Sequence, residues 1–365
     1  MQLYPSLITD ALNTVRYPGN GKTLVEAGMV EDDIRIDGDS VSFSLIFDKP
    51  TDPFIKSMTR AAETAIHTYI SPEVKVTVNV ASRKPAPPKN APVLPGVKNI
   101  IGVSSGKGGV GKSTVASNLA VALAAEGYKV GLLDADIFGP SMPKMFGIED
   151  EQLYIHEVDG RQLIIPVERY GVKLLSIGFV VDKEKAVLWR GSMASNALKQ
   201  LIADADWGEL DYFVIDMPPG TSDIHLTLVQ TLPITGVVVV TTPQEVALAD
   251  ARKGIAMFVD EKVNVPILGL VENMAYFTPA EHPDERYYIF GKEGGIRLAD
   301  ELGVRLLAQI PLVASIADCG DSGTPIALTD SITGHAFAHL AHEVVDAVAE
   351  RNRELPPTHK VELHH

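Results

Sequence analysis

The chain has 365 residues, with 32 Lys and Arg against 47 Asp and Glu, which gives a formal charge of −15. Its 45% hydrophobic and 22% charged residues are typical of globular proteins and exclude disordered, fibrous and membrane-embedded classes. The single cysteine, Cys319, excludes an internal disulfide framework and a four-thiolate metal site built from one chain. The N-terminus lacks the form of a signal peptide, so we expect a cytoplasmic protein. Neither a nucleic acid nor a membrane is an expected partner, because the acidic excess opposes the first and no apolar run of roughly 18 residues serves the second.

A linker is predicted at residues 82–98, which contain five prolines and four basic residues but no acidic one. It separates a domain over 1–81 from a larger domain over 99–352, and residues 353–365 form a tail. The first domain is predicted to be a small α+β unit, because apolar residues at helical spacing alternate with strand-like runs. Its expected elements are a helix near 7–15, a strand at 41–45, a helix at 52–69 and a strand at 74–80.

The larger domain is predicted to be a doubly wound α/β domain with a mostly parallel sheet. Short runs rich in Val and Ile alternate with helical patterns, and most of the runs lack polar alternation, as expected of strands buried on both faces. The expected strands are Ile100–Ser104, Val130–Asp134, Lys173–Ile177, Tyr212–Asp216, Gly236–Thr241, Ile267–Val271 and Leu306–Ile310.

A phosphate-binding loop is the strongest signal in the chain. The pattern G-x-x-x-x-G-K-S lies between a predicted strand and a predicted helix, the context that such a loop requires. Its glycines let backbone N–H groups converge on phosphate oxygens, and the helix adds the positive end of its dipole. Lys112 would contact the outer phosphates of ATP, and the Ser113 hydroxyl would coordinate magnesium. The expected nucleotide-contacting residues are Gly106, Lys107, Gly108, Gly109, Val110, Gly111, Lys112, Ser113 and Thr114.

The second lysine of this loop, Lys107, makes the motif more specific. The form KGGxGKS resembles the deviant Walker motif of the dimeric ATPases that include MinD, ParA, the nitrogenase iron protein and ArsA. The resemblance implies that Lys107 reaches across a homodimer interface to the partner's nucleotide, so that two chains enclose two ATP molecules. The alternative is an exposed lysine that balances phosphate charge within one chain.

Three carboxylates and one glycine are expected at the same edge of the sheet, where ligands of this fold bind. By the same resemblance, Asp136 matches the switch residue that orients the attacking water, with Lys107 and Lys112 as the other catalytic residues. Asp134 would lie near the magnesium shell, and Asp216, which ends an apolar strand, would hold magnesium. The Gly220 amide would sense the terminal phosphate. A solvated loop aspartate is the alternative for Asp136.

A wider set of motifs resembles the Mrp/ApbC family of iron–sulphur cluster carriers. The resemblance covers residues 99–345, and residues 1–81 resemble the MIP18-like domain often fused ahead of these ATPases. It implies ATP hydrolysis and cluster delivery to apo-proteins, with Asn273 at the adenine edge and the loop at Pro311 packed on the base. A helix cap is the alternative for Asn273. The motifs are DADIFGPS at 134–141, WRG at 189–191, DMPPGTSD at 216–223, TPQ at 242–244, ENM at 272–274 and GDSGTP at 320–325.

One departure from that family concerns the cluster ligands. The family usually has a C-x-x-C pair after the Asn-Met segment, whereas residues 276–285 contain no cysteine, and Pro279 and His282 fall near the expected positions. Two copies of Cys319 across a dimer could contribute two thiolates to a subunit-bridging cluster. The other interpretation makes Cys319 a half-buried residue in a loop at 318–323.

Two rival functions remain open at this stage. An ATP-dependent interaction switch would need only the nucleotide site and the N-terminal domain, and it would bind no cluster. A positioning ATPase of the MinD or ParA type would need a membrane or DNA, which the acidic charge and the tail disfavour.

Overall fold

The computed structural model describes residues 3–31, 33–50, 52–83, 93–158, 161–179, 191–279, 282 and 285–361. Most of the predicted linker (84–92), the motif residues Trp189 and Arg190, and the terminal His364 and His365 lie outside these residues. The chain divides into two compact units, residues 1–91 and 92–365. Within the described residues, no helix is both long and apolar enough to cross a membrane.

The first unit is a small α+β structure, as predicted. Its sheet has the order β1-β2-β3, in which β1 and β2 are antiparallel and β2 and β3 are parallel. Alternate residues of β2 are buried and pack against the two helices, so the strand has one apolar face. The short β1 was not predicted. The elements are α1 (Pro5–Leu12), β1 (Arg35–Asp37), β2 (Ser40–Phe47), α2 (Ile55–Tyr69) and β3 (Lys75–Ser82).

The second unit contains all seven predicted strands of the larger domain. Its first half consists of β4 (Val97–Ser105), α3 (Lys112–Ala125), β5 (Val130–Asp134), α4 (Met142–Met145), β6 (Tyr154–Val158), β7 (Arg161–Ile165), β8 (Val167–Arg169), β9 (Val172–Ser176) and α5 (Gly191–Ala203). Its second half consists of β10 (Leu210–Asp216), α6 (Asp223–Thr231), β11 (Gly236–Thr241), α7 (Glu245–Val259), β12 (Ile267–Glu272), α8 (Gly294–Leu302), β13 (Leu306–Gln309), α9 (Ala314–Ser322) and α10 (Ile332–Glu354).

In the described residues of this unit, eight strands form one sheet in the order β13-β12-β11-β4-β10-β5-β9-β8. All neighbouring strands are parallel except β8 and β9, which are antiparallel at the edge. A separate hydrophobic cluster covers each face of the sheet, which confirms the doubly wound α/β prediction. The edge strand β8 and the hairpin of β6 and β7 were not predicted.

The segment 318–323 is mostly helical, so its prediction as a loop was wrong. The chain forms helix α9 through Ser322, and the helix ends at Gly323, whose φ of +70° closes a left-handed cap. Glycines at 320 and 323 suggested a loop, but packing of α9 against α4 and the core keeps the segment helical. Of the two glycines, only Gly323 marks a boundary, because it ends the helix.

Candidate functional site

The phosphate-loop motif curls between β4 and α3, as its pattern predicts. Gly109 and Gly111 have φ values of +80° and +82°, which favour glycine, and a Cβ on Gly111 would lie 2.1 Å from Asn273 Nδ2. The glycines are thus needed for both curvature and close approach. Val110 and Lys112 are buried, Gly108 and Gly109 are exposed, and Gly106, Lys107, Gly111, Ser113 and Thr114 are half-buried.

The parallel register places the predicted carboxylates side by side. Asp216 at the end of β10 is level with Asp134 at the end of β5, which is level in turn with Ser176 at the end of β9. The carboxyl ends of parallel strands therefore bring three polar side chains to one edge of the sheet, beside the phosphate loop. Asp134 and Asp216 are both fully buried.

Lys112 and Ser113 converge on Asp216. The Lys112 ammonium donates to Asp216 Oδ1 at 2.6 Å, and the Ser113 hydroxyl donates to Asp216 Oδ2 at 2.7 Å. Burial raises the pKa of Asp216, and the Lys112 charge opposes that rise. The side chain of Lys112 is only 6% exposed, so it forms a buried ion pair with Asp216.

Asp136 also lies near the Lys112 ammonium. Its Oδ2 is 3.8 Å from Lys112 Nζ, and its side chain is 14% exposed. Burial raises the pKa of Asp136, whereas Lys112 and the backbone amides of Gly139 and Phe138 lower it. The structure therefore brings Lys112, Ser113, Asp136 and Asp216 together, with Asp136 at the edge of the cluster.

Asp134 accepts hydrogen bonds from three donors of the chain. Its Oδ1 accepts the Asp136 N–H at 3.2 Å, and its Oδ2 accepts the Met142 N–H at 3.2 Å and the Ser176 hydroxyl at 2.9 Å. Burial, and then the neighbouring Asp216 charge, raise the pKa of Asp134. Sequence reasoning missed Ser176, although its place at the end of a predicted strand, level with Asp134, was a usable signal.

The second loop lysine, Lys107, is half-buried, and its ammonium forms no ion pair with a residue that the structure describes. Its carbonyl accepts the Ser105 hydroxyl at 2.9 Å, which fixes the backbone there. Gly220, with a φ of +75°, donates its amide to the Ser105 carbonyl at 2.9 Å. The amide predicted to sense phosphate is therefore hydrogen-bonded to the start of the phosphate loop.

Asn273 contacts the phosphate loop. Its side chain is buried, and Nδ2 donates to the Val110 carbonyl at 2.8 Å. Its backbone amide donates to the Thr241 carbonyl at 2.8 Å. The side chain does not cap a helix, because the next described helix along the chain begins only at Gly294. Pro311 is buried just after β13, next to Ile310, whose amide donates to Glu272 at 2.9 Å. The adenine contacts of Asn273 and Pro311 stay predictions.

The donors at this edge fit a hard divalent cation. A serine hydroxyl and a carboxylate lie in contact, and magnesium prefers such oxygens together with nucleotide phosphates and water. Among the described residues, no group of three or more His, Cys, Asp and Glu side chains could hold a metal ion by itself. Ser113 and Asp216 are therefore suited to magnesium that arrives with a nucleotide.

The role of Cys319 as a ligand of a bridging cluster stays a prediction, and the surroundings of the thiol do not favour it. Its side chain is half-buried in α9 and packs against the hydrophobic core that contains Phe146 and Ile326. Near the expected C-x-x-C position, His282 is exposed and its Nδ1 lies 3.7 Å from Glu285. Because the chain has one cysteine, two chains supply two thiolates, half of a four-thiolate set.

A parallel sheet, a phosphate loop with two lysines and a carboxylate on the neighbouring strand define a P-loop nucleotide-binding protein. A family model described as the NUBPL iron-transfer P-loop NTPase matches residues 96–348, and one described as an iron-sulfur cluster assembly protein matches residues 6–80. The chain belongs to the NUBPL iron-transfer P-loop NTPase family. This confirms the resemblance drawn from the motifs.

The relatives agree with this assignment. The iron-sulfur cluster carrier protein of Synechocystis is 42% identical over 352 residues, which cover 94% of this chain and 98% of that protein. The protein of the same name from Escherichia coli is 49% identical over 275 residues, 75% and 72% of the two chains. A solved nucleotide-binding protein from Archaeoglobus fulgidus, in complex with ADP, is 39% identical with a TM-score of 0.54 and covers 63% of this chain and 88% of its own.

Proposed function

We propose that this chain hydrolyses ATP with magnesium as a homodimer and acts in the assembly or transfer of iron–sulphur clusters to apo-proteins. The convergence of Lys112 and Ser113 on Asp216 supports the ATPase part, because a cation, a hydroxyl and a carboxylate, the groups that phosphoryl transfer needs, lie together beside the phosphate loop. The carrier part is supported by the family and by relatives named iron-sulfur cluster carrier proteins.

Nucleotide binding, in this proposal, is an exchange of partners. The Lys112 ammonium would leave Asp216 for the outer phosphates, and Ser113 and Asp216 would hold magnesium. Magnesium supplies neutralisation of phosphate charge when it is bound. Gly220 gives up the Ser105 carbonyl to reach the terminal phosphate, and Asp136 orients the attacking water.

Calorimetry with Mg-ATP and a phosphate-release assay test the ATPase part. We expect wild-type protein to bind and hydrolyse ATP, Lys112→Ala to lose binding, and Asp136→Asn to bind but to lose most of its turnover. Absence of heat with Mg-ATP, or turnover that survives Lys112→Ala, would refute the ATPase.

Mixed dimers test whether Lys107 acts across the interface. Lys107→Ala and Asp136→Asn chains are each expected to be inactive, since each homodimer lacks one group in both sites. If Lys107 acts in the partner's site, an equal mixture regains about a quarter of wild-type turnover, because half the dimers carry one complete site. If Lys107 acts in its own site, the mixture stays inactive.

The single cysteine favours a second candidate, an ATP-dependent interaction switch that binds no cluster of its own. Iron and sulphide analysis of anaerobically purified protein, and transfer of a reconstituted cluster to an apo-ferredoxin, separate the two candidates. A carrier activates the acceptor, and any bound cluster is lost in Cys319→Ala if that thiolate is a ligand. An interaction switch contains no iron, leaves the acceptor inactive and captures partners in ATP but not in ADP.

A further inference from the structure

Asp134 and Asp216 have hydrogen-bond partners of different kinds. Asp216 is approached by the phosphate-loop side chains Lys112 and Ser113, whereas Asp134 is approached by backbone amides and by Ser176 of β9. Asp134 is fully buried, so its carboxylate depends on these donors for stabilisation. The different partners therefore indicate different roles for Asp134 and Asp216, although both lie near the expected magnesium site.

The hydrogen bonds of Asp134 leave little room for direct metal ligation. Three of them occupy a carboxylate that has about four acceptor positions, so about one position is left. The hydroxyl suited to magnesium, Ser113, contacts Asp216 at 2.7 Å and so marks Asp216 as the carboxylate on the nucleotide side. The contacts of Asp134 instead fix the backbone on both sides of the segment that carries Asp136.

We propose that Asp134 is a positioning residue that orients Asp136. Its buried carboxylate holds both ends of residues 135–142, here called the switch loop. One oxygen holds the amide of Asp136 itself, and the other holds the amide of Met142 at the far end of the loop. This inference rests on the proposed ATPase function. It predicts that Asp134 acts on turnover through Asp136 rather than on magnesium.

The same carboxylate connects the switch loop to the turn after β9. Ser176 donates its hydroxyl to Asp134 and accepts the Gly178 N–H at 3.0 Å. A Cβ on Gly178 would lie 3.2 Å from both Pro140 and Pro143, so this turn packs tightly against the loop. Ser176 therefore helps Asp134 to position the switch loop. Loss of the Ser176 hydroxyl should lower kcat, but by less than loss of the Asp134 carboxylate.

Asp134→Asn tests the proposal with little change of shape. The amide keeps one acceptor oxygen but turns an N–H₂ group towards an N–H donor of the chain, so one end of the switch loop is released. We expect kcat to fall roughly 10–100-fold, as for other partners that orient a reacting group, while the magnesium concentration for half-maximal rate stays within about twofold. Ser176→Ala should lower kcat roughly 2–10-fold, the effect of one hydrogen bond.

Two further measurements decide how Asp134 acts. The double variant Asp134→Asn with Asp136→Asn should be no slower than Asp136→Asn alone, because residues that act as a unit are not additive. Amide hydrogen exchange at Asp136 and Met142 should accelerate in both Asp134→Asn and Ser176→Ala, measured with no nucleotide present. The exchange measurement is independent of ATP turnover.

The outcomes separate this proposal from the proposed function. A wild-type protein without ATP turnover overturns the ATPase itself. Wild-type turnover with an unchanged kcat in Asp134→Asn overturns only the positioning role, as does a raised magnesium requirement that excess magnesium rescues. If Asp134→Asn does not fold, Ser176→Ala decides: unchanged kcat and unchanged exchange at the two amides refute the proposal.

Discussion

His225, in the first turn of α6, is expected to make the folded protein less stable at acidic pH. Its side chain is 1% exposed, and Nδ1 lies 3.2 Å from the Ser222 amide that donates to it. Within the described part of the chain, Nε2 is buried and has no hydrogen-bond partner. Burial, with a smaller contribution from the Lys112 charge, lowers the pKa of His225 to about 4.

The magnitude follows from proton linkage. The imidazole has an ordinary pKa of 6.5, so above that pH it is neutral in both folded and unfolded chains and its contribution to stability is fully present. As the pH falls from 6.5 to about 4, the unfolded chain binds the proton first and stability is lost. The difference between the two pKa values corresponds to roughly 3 kcal/mol, most of which is lost by about pH 4.5.

His225→Asn removes the titration while its Oδ1 replaces Nδ1 as the acceptor of the Ser222 amide. Urea unfolding followed by circular dichroism between about pH 7.5 and about pH 4.5 gives the loss for each protein. We expect the wild type to lose roughly 2–3 kcal/mol more than the variant. Because each protein is compared with itself, a constant packing defect in the variant cancels. Equal losses in the two proteins would refute the argument.

Two other substitutions follow from close contacts. Gly323→Ala would place a Cβ 2.4 Å from Gly147 Cα at a φ of +70°, so we expect a loss of at least about 2 kcal/mol in urea unfolding. Gly320→Ala is the control, because it lies within α9 where space is open; it should leave stability unchanged or raise it by up to about 1 kcal/mol, since alanine favours a helix over glycine. Lys112→Met would leave Asp216 buried without its cation, which should cost roughly 3–5 kcal/mol near neutral pH. Since burial raises the pKa of Asp216, this cost should shrink as the pH falls and the carboxylate takes up a proton; a cost independent of pH would contradict it.

The parallel sheet was predictable because its strands are apolar on both faces. Val130–Asp134 and Gly236–Thr241 are buried at every position, so their composition alone marked them. The hairpin of β6 and β7 was not predictable in the same way. Its residues are mostly exposed or half-buried, and pairing within the hairpin replaces burial as the reason for its strands.

The sequence predicts which residues form the candidate site, but it does not predict which hydrogen bonds they make. The G-x-x-x-x-G-K-S pattern and an acid at the end of an apolar strand identify Lys112, Ser113 and Asp216, because a phosphate site needs those residue types at those places. The contacts of Asp134 with Met142 and Ser176 depend on strand register and loop length, which one sequence does not specify.

The groups that the proposal assigns to ATP already have partners within the chain. The Lys112 ammonium donates to Asp216, the Gly220 backbone amide donates to the Ser105 carbonyl, and the Asn273 side-chain amide donates to the Val110 carbonyl. Unpaired buried polar groups cost about 1–3 kcal/mol each, so a site without these partners would be destabilised. A nucleotide must replace these contacts. Gly220 lies in the segment that follows Asp216, and Asp136, whose Oδ2 is 3.8 Å from the Lys112 ammonium, lies in the segment that follows Asp134. Binding is thereby coupled to the conformation of both segments, without any need for a flexible site.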